Sequence, residues 1–203
     1  LLIKNASNSE TSKYTIDESV SEYKIISFIF SRCPMPEMCP ATISNMQYLA
    51  ENFKTKNVDF LFISFDYLYD TPDRLFQTYG SIEGNFKNIH FLSSSNHLND
   101  LYLITKQVGL TFGGIEDNNI GHTMRTVVLD KKNTILKIYE GYDWKPSIMK
   151  KDLENLFNLD IDDRNMEIYL NKPNRINETL FDIREIFKDN IIYTWADMNK
   201  SLF

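Results

Sequence analysis

Cys33 and Cys39 are the chain's two cysteines, and they stand six positions apart in Phe28-Ile29-Phe30-Ser31-Arg32-Cys33-Pro34-Met35-Pro36-Glu37-Met38-Cys39-Pro40. A thiol pair so placed admits three chemistries: a disulfide staple, a redox couple, or two thirds of a metal site. Closing so small a loop stabilises a fold by only about 2 kcal/mol in the chain-entropy model. With 203 residues the chain can bury a self-sufficient core, so a staple is the weakest reason for the pair. Chelation requires the loop to fold back, and Pro34 and Pro36 limit the ways it can do so. A thiolate is the reactive form in either remaining case, and a helix starting at Cys39 would favour it by its positive end.

The neighbouring elements set that loop in place. Lys24 to Phe30 (KIISFIF) is a nearly unbroken apolar run, the pattern of a strand buried on both faces. Pro40 suits the first turn of a helix, and Ile43, Met46, Leu49 or Ala50, and Phe53 recur at helical spacing over about 40–54. Val58 to Phe65 repeats the buried-strand pattern, a loop from Asp66 leads into a short helix over Pro72 to Tyr79, and Ile89 to Leu92 reads as a third strand. A second helical pattern from Leu98 to Val108 ends at Gly109, a C-cap residue. Alternating strands and helices predict a parallel sheet with crossover helices.

Residues 110–121 read as a polar, glycine-bearing loop closing on His122. Thr123 to Leu129 and Thr134 to Tyr139 flank Asp130-Lys131-Lys132-Asn133 as a β-hairpin, and Pro146 to Phe157 supplies a closing helix. Residues 1–22 are polar and rich in turn-formers, a frayed strand and connector. The order is that of an elaborated thioredoxin-like α/β fold: a central mixed sheet flanked by helices over residues 1–160. Residues 161–203 form a C-terminal appendage with a strand expected at Met166 to Leu170 and an amphipathic helix at about Asn177 to Lys188. That appendage is too apolar to float free, so we expect it to pack on the domain.

Composition excludes several function classes. Net charge is −6, from 22 Lys+Arg against 28 Asp+Glu, and no basic stripe exists to track phosphates, so nucleic acid is a poor partner. The longest apolar runs are strand-sized, too short to span a bilayer. The chain opens on Leu1 rather than methionine, and we expect it to be a mature or trimmed form.

At the cysteine loop the sequence resembles the SCO/SenC family, thioredoxin-fold copper-binding proteins that assist assembly of the copper site of cytochrome c oxidase. The likeness is carried by Phe28 to Pro34 with Cys39-Pro40, Ser64-Phe65-Asp66 with Asp70-Thr71-Pro72, His122 ahead of a strand, and Gly141 with Trp144-Lys145-Pro146. These motifs stand in the family's order across roughly residues 20–155. The resemblance implies that Cys33, Cys39 and His122 are copper ligands, for Cu(I) or Cu(II). Five residues separate the cysteines where the family usually has three, as in a bacterial subgroup with a longer loop.

The donor chemistry agrees with that implication, because two soft thiolates and one imidazole suit Cu(I), or Zn(II) with an open position, better than magnesium or calcium. In the thioredoxin architecture the residue before the strand that follows His122 lies against the cysteine-bearing helix start. Ordinary thioredoxins carry a cis-proline there, and no Thr-Pro pair precedes this strand. The expected function is therefore a copper metallochaperone whose partner is the copper-bearing subunit of cytochrome c oxidase or another copper protein. The resemblance further implies an extracytoplasmic location, in the periplasm or at the outer face of the inner membrane, with membrane attachment through an N-terminal anchor absent here.

The competing class is a thiol-disulfide oxidoreductase with Cys33 and Cys39 as its catalytic pair, although the C-x-x-C spacing of a general thioredoxin is absent. A third reading is a copper buffer or sensor with no oxidase client. Asp66 and Asp70 are candidates to orient a ligand, and Asp70 is also a candidate helix cap. Met35 and Met38 are soft side chains better suited to filling gaps or forming a docking surface. His90 and His97 read as ordinary polar residues.

Overall fold

The computed structural model describes residues 1–4, 10–117, 119–158, 179–181 and 183–184. By internal contacts the chain divides into one unit at Leu1–Asn158 and a second at Leu159–Phe203. In the second unit residues 179–181 and 183–184 are helical, within the helix expected there. The strand expected at Met166 to Leu170 lies outside the described residues.

In the first unit the chain runs β1 (Leu2–Lys4), β2 (Thr11–Lys13), β3 (Tyr23–Ile29), α1 (Cys39–Asn52), β4 (Val58–Ser64), α2 (Pro72–Asn85) and β5 (Ile89–Ser93). It continues through α3 (Leu98–Gln107), β6 (Phe112–Gly113), β7 (Gly121–His122), β8 (Arg125–Asp130), β9 (Ile135–Glu140) and α4 (Pro146–Asn158). Seven strands form one sheet in the order β2-β1-β5-β4-β3-β8-β9. Strands β3, β4 and β5 are parallel neighbours, while β8, β9, β1 and β2 add antiparallel edges, so the sheet is mixed.

The apolar runs fall where two-faced burial requires them. Ile25, Ile29, Phe60, Leu61, Phe62 and Ile63 are fully buried in β3 and β4. Helix α1 turns Ile43, Met46, Leu49 and Ala50 inward at helical spacing. Gly109 follows α3 at φ +67°, the left-handed turn expected of a C-cap glycine.

Two elements differ from expectation. Helix α2 runs on to Asn85 instead of stopping at Tyr79, because Gly80 and Gly84 are tolerated where Leu75 and Tyr79 pack on the core. The stretch 110–121 is not wholly loop: β6 and β7 pair antiparallel, with Phe112 opposite His122 and Gly113 opposite Gly121. No helix among the described residues is long and apolar enough to cross a membrane.

Candidate metal centre

The cysteine loop starts where β3 ends. After Ile29 the Cys33 N–H turns back to donate to the Phe30 carbonyl at 3.3 Å, and two prolines prevent the segment from continuing a strand ladder. The Cys33 thiol, half-buried, donates to the Met35 carbonyl at 3.8 Å. Cys39 opens α1 with Pro40 behind it, and it is 1% exposed. Both thiols are free.

Burial decides the state of Cys39. It pushes the thiol up to about 12; the Phe30 backbone hydrogen bond pulls down, and the charges of Cys33 and Asp70 push further up. The positive end of α1, expected to favour a thiolate here, is therefore outweighed by desolvation. Cys39 remains a thiol until something replaces its proton, as a soft metal ion does.

His122 arrives from the β6–β7 hairpin. Its Nδ1 lies 3.0 Å from the Thr123 carbonyl oxygen, and a carbonyl can only accept, so Nδ1 carries the hydrogen and Nε2 keeps the lone pair. Burial holds the imidazole below its ordinary value, against the pull of that carbonyl, so the ring is held neutral as a ligand requires. Two aromatic rings meet it, and a third backs one of them. Phe65 lies 4.7 Å from the imidazole, centroid to centroid, and Phe30 meets it edge-on at 5.5 Å. Phe65 also contacts Phe30 at 5.3 Å and stacks on Phe112 at 5.6 Å. Phe30 is thus common to both halves of the site: its ring touches His122 and its carbonyl accepts the Cys33 N–H.

Two buried carboxylates fix the loop from below. Asp70 accepts the Ser31 N–H at 2.8 Å, the Ser31 hydroxyl, and the Ser64 hydroxyl at 2.6 Å. Asp66 accepts Arg32 Nε at 2.9 Å and Nη2 at 2.7 Å. Ser31 and Arg32 are the two residues before Cys33, so both aspartates act on the cysteine segment. Asp70 is not the cap of α2; that role falls to Thr71, whose hydroxyl accepts the Arg74 N–H at 3.3 Å.

Sequence spacing did not expose the aromatic surround, since Phe30, Phe65 and Phe112 come from three separate segments. The usable signal was the glycine-rich frame 113–121, which marks a hairpin able to present His122. Met35 is 42% exposed on the loop rim. His90 faces Asp59 at 3.9 Å and His97 faces Asp100 at 3.0 Å, both outside the site. Among the described residues, no three His, Cys, Asp or Glu side chains are gathered closely enough to enclose a metal ion.

A parallel core sheet whose first strand leads through a cysteine pair into a helix, with a histidine hairpin alongside, defines a thioredoxin-like fold. The chain belongs to the SCO1/SenC family, whose sequence profile matches residues 6–158. No curated protein matches it by sequence.

Among solved structures, a SCO1/SenC family lipoprotein from Bacillus anthracis is 18% identical over 78% of this chain and 93% of its own, with a TM-score of 0.63. Arabidopsis thaliana ScoI, solved with copper bound, is 16% identical over 77% of this chain and 94% of its own, TM-score 0.61. BsSco, a cytochrome c oxidase assembly protein of the Sco family with an identified disulfide switch, is 19% identical over 79% and 92%, TM-score 0.58. At such identities the likeness establishes the fold, which is the thioredoxin-like α/β class expected from the sequence.

Proposed function

We propose that the protein is a copper metallochaperone in which Cys33, Cys39 and His122 are the ligands, passing copper by ligand exchange to the copper-bearing subunit of cytochrome c oxidase or another copper protein. The observation that carries this reading is Phe30, whose ring meets His122 edge-on at 5.5 Å while its carbonyl accepts the Cys33 N–H at 3.3 Å. Two thiols and a neutral imidazole with Nε2 available form a soft donor set that fits Cu(I). Family membership and the copper-bound relative support the same metal. Copper is the cargo, so half-exposed Cys33 is the natural ligand for a client to displace first. The lipoprotein among its relatives supports an extracytoplasmic setting.

Anaerobic Cu(I) titration of the reduced chain tests the reading. One tightly bound equivalent, weakened by His122→Ala, is expected; no tight equivalent would refute it.

A second reading rests on the asymmetry of the thiols, Cys33 half-buried and Cys39 enclosed. As a thiolate, Cys33 would attack a client disulfide, forming a mixed disulfide and releasing one client thiolate. Cys39, giving up its proton, would then attack the Cys33 sulfur, closing the Cys33–Cys39 disulfide and releasing the client with both thiols reduced. The disulfide switch of BsSco supports it. His122 has no part in those steps, so turnover with a disulfide client that survives His122→Ala would favour this reading.

A further inference from the structure

The cross-strand pair Phe112 and His122 stands where the β6–β7 hairpin meets the core. Phe112 stacks on fully buried Phe65 at 5.6 Å with 29° between the planes, and Phe65 in turn meets the imidazole at 4.7 Å. On the far side of Phe112, Tyr102 from α3 stacks at 5.5 Å and 16°. Cross-strand partners project from the same face of a two-stranded ribbon. The hairpin therefore rests on Phe65 through both side chains at once, and the Phe112 stack limits rotation of the ribbon that carries His122. The strands are two residues each, too short to hold their own geometry by ladder hydrogen bonds.

We propose that Phe112 is a positioning residue for His122: clamped between Tyr102 and Phe65, it holds the hairpin so that the imidazole stays against Phe30 and Phe65. The inference rests on the metal-binding reading above. Phe112 touches no thiol and acts through the hairpin alone, so its effect must vanish when His122 is not a ligand.

The test is a double-mutant cycle in Cu(I) affinity, measured anaerobically by competition with a chromophoric Cu(I) chelator on the full chain. Phe112→Leu is expected to weaken binding about three- to tenfold, the range of one aromatic pair, and to have no effect in the His122→Ala background. Phe112→Tyr, which keeps the ring on a half-buried position, is expected to restore wild-type affinity. In the metal-free protein, the ring-current shifts of the His122 imidazole protons should shrink in Phe112→Leu and persist in Phe112→Tyr. A Phe112→Leu penalty equal in both backgrounds, no penalty, or tighter binding would overturn the proposal while leaving the ligand set intact. A wild-type chain that takes up no Cu(I) would overturn the function reading itself and this inference with it.

Discussion

The carboxylate of Asp70, fully buried in the loop between β4 and α2, accepts the backbone N–H of Ser31 at 2.8 Å and so anchors the start of the cysteine loop. It also accepts the Ser31 and Ser64 hydroxyls. Replacing Asp70 with Ala strands the buried Ser64 hydroxyl and the two half-buried donors of Ser31, and each buried donor left unpaired costs about 1–3 kcal/mol. Relaxation of the two hydroxyls limits the total, so we expect Asp70→Ala to lower stability by about 2–4 kcal/mol in urea denaturation. A change within about 0.5 kcal/mol would show that the loop does not depend on this anchor.

Cys33 and Cys39 should differ sharply towards alkylating agents. Cys39 is 1% exposed, and burial pushes its thiol up to about 12 from 9.0, which alone cuts its thiolate fraction roughly a thousandfold. Timed iodoacetamide labelling of the reduced protein, read by peptide mass spectrometry, should modify Cys33 first and Cys39 only on unfolding. Equal rates would contradict the enclosed position of Cys39.

Gly114 offers a way to disturb His122 from a distance. It sits at φ +73°, and a Cβ there would collide with the Asn119 carbonyl oxygen, across the turn that joins β6 to β7. The Asn119 N–H donates to the Gly114 carbonyl at 2.9 Å, so the turn cannot open without losing that bond. Gly114→Ala should reduce Cu(I) affinity about as much as His122→Ala does. Its thermal midpoint should fall only slightly, because the turn lies outside the main sheet. Unchanged affinity would mean the hairpin does not deliver a ligand.

Glu83 makes stability pH-dependent away from the site. Burial pushes its carboxyl up to about 7 from 4.5, against the downward pull of the Phe91 N–H it accepts at 2.7 Å. Between roughly pH 4.5 and 7 the folded chain then holds a proton that the unfolded chain has lost, so stability falls as pH rises through that window and the full penalty stands above it. Glu83→Gln keeps an acceptor for Phe91 and removes the charge. Urea midpoints should favour the variant at pH 8 and converge with wild type near pH 4.5; an equal gain at both values would contradict the assignment.

Much of this architecture is legible in the chain because its signals are local and strong. The runs at Lys24 to Phe30 and Val58 to Phe65 can be buried only between two layers, and Pro40 with Ile43, Met46 and Leu49 marks α1 and thereby places Cys39. What sequence left hidden depends on partners far along the chain. Strand β1 is three residues long and joins the sheet through a single register pair with β5, Leu2 opposite Ser93. The pairing of Phe112 with His122 brings two side chains onto Phe65, a residue from a distant segment. The thiol state of Cys39 was missed for a related reason: the helix end is visible in sequence, whereas the depth of burial that outweighs it is not.

The most direct measurement of the central claim is X-ray absorption at the copper edge of the anaerobically Cu(I)-loaded chain, alongside His122→Ala. Wild type should show two sulfur scatterers and one nitrogen, with the nitrogen lost in the variant. A shell of sulfur alone, or a nitrogen that survives His122→Ala, would contradict the assignment of Cys33, Cys39 and His122 as the copper ligands.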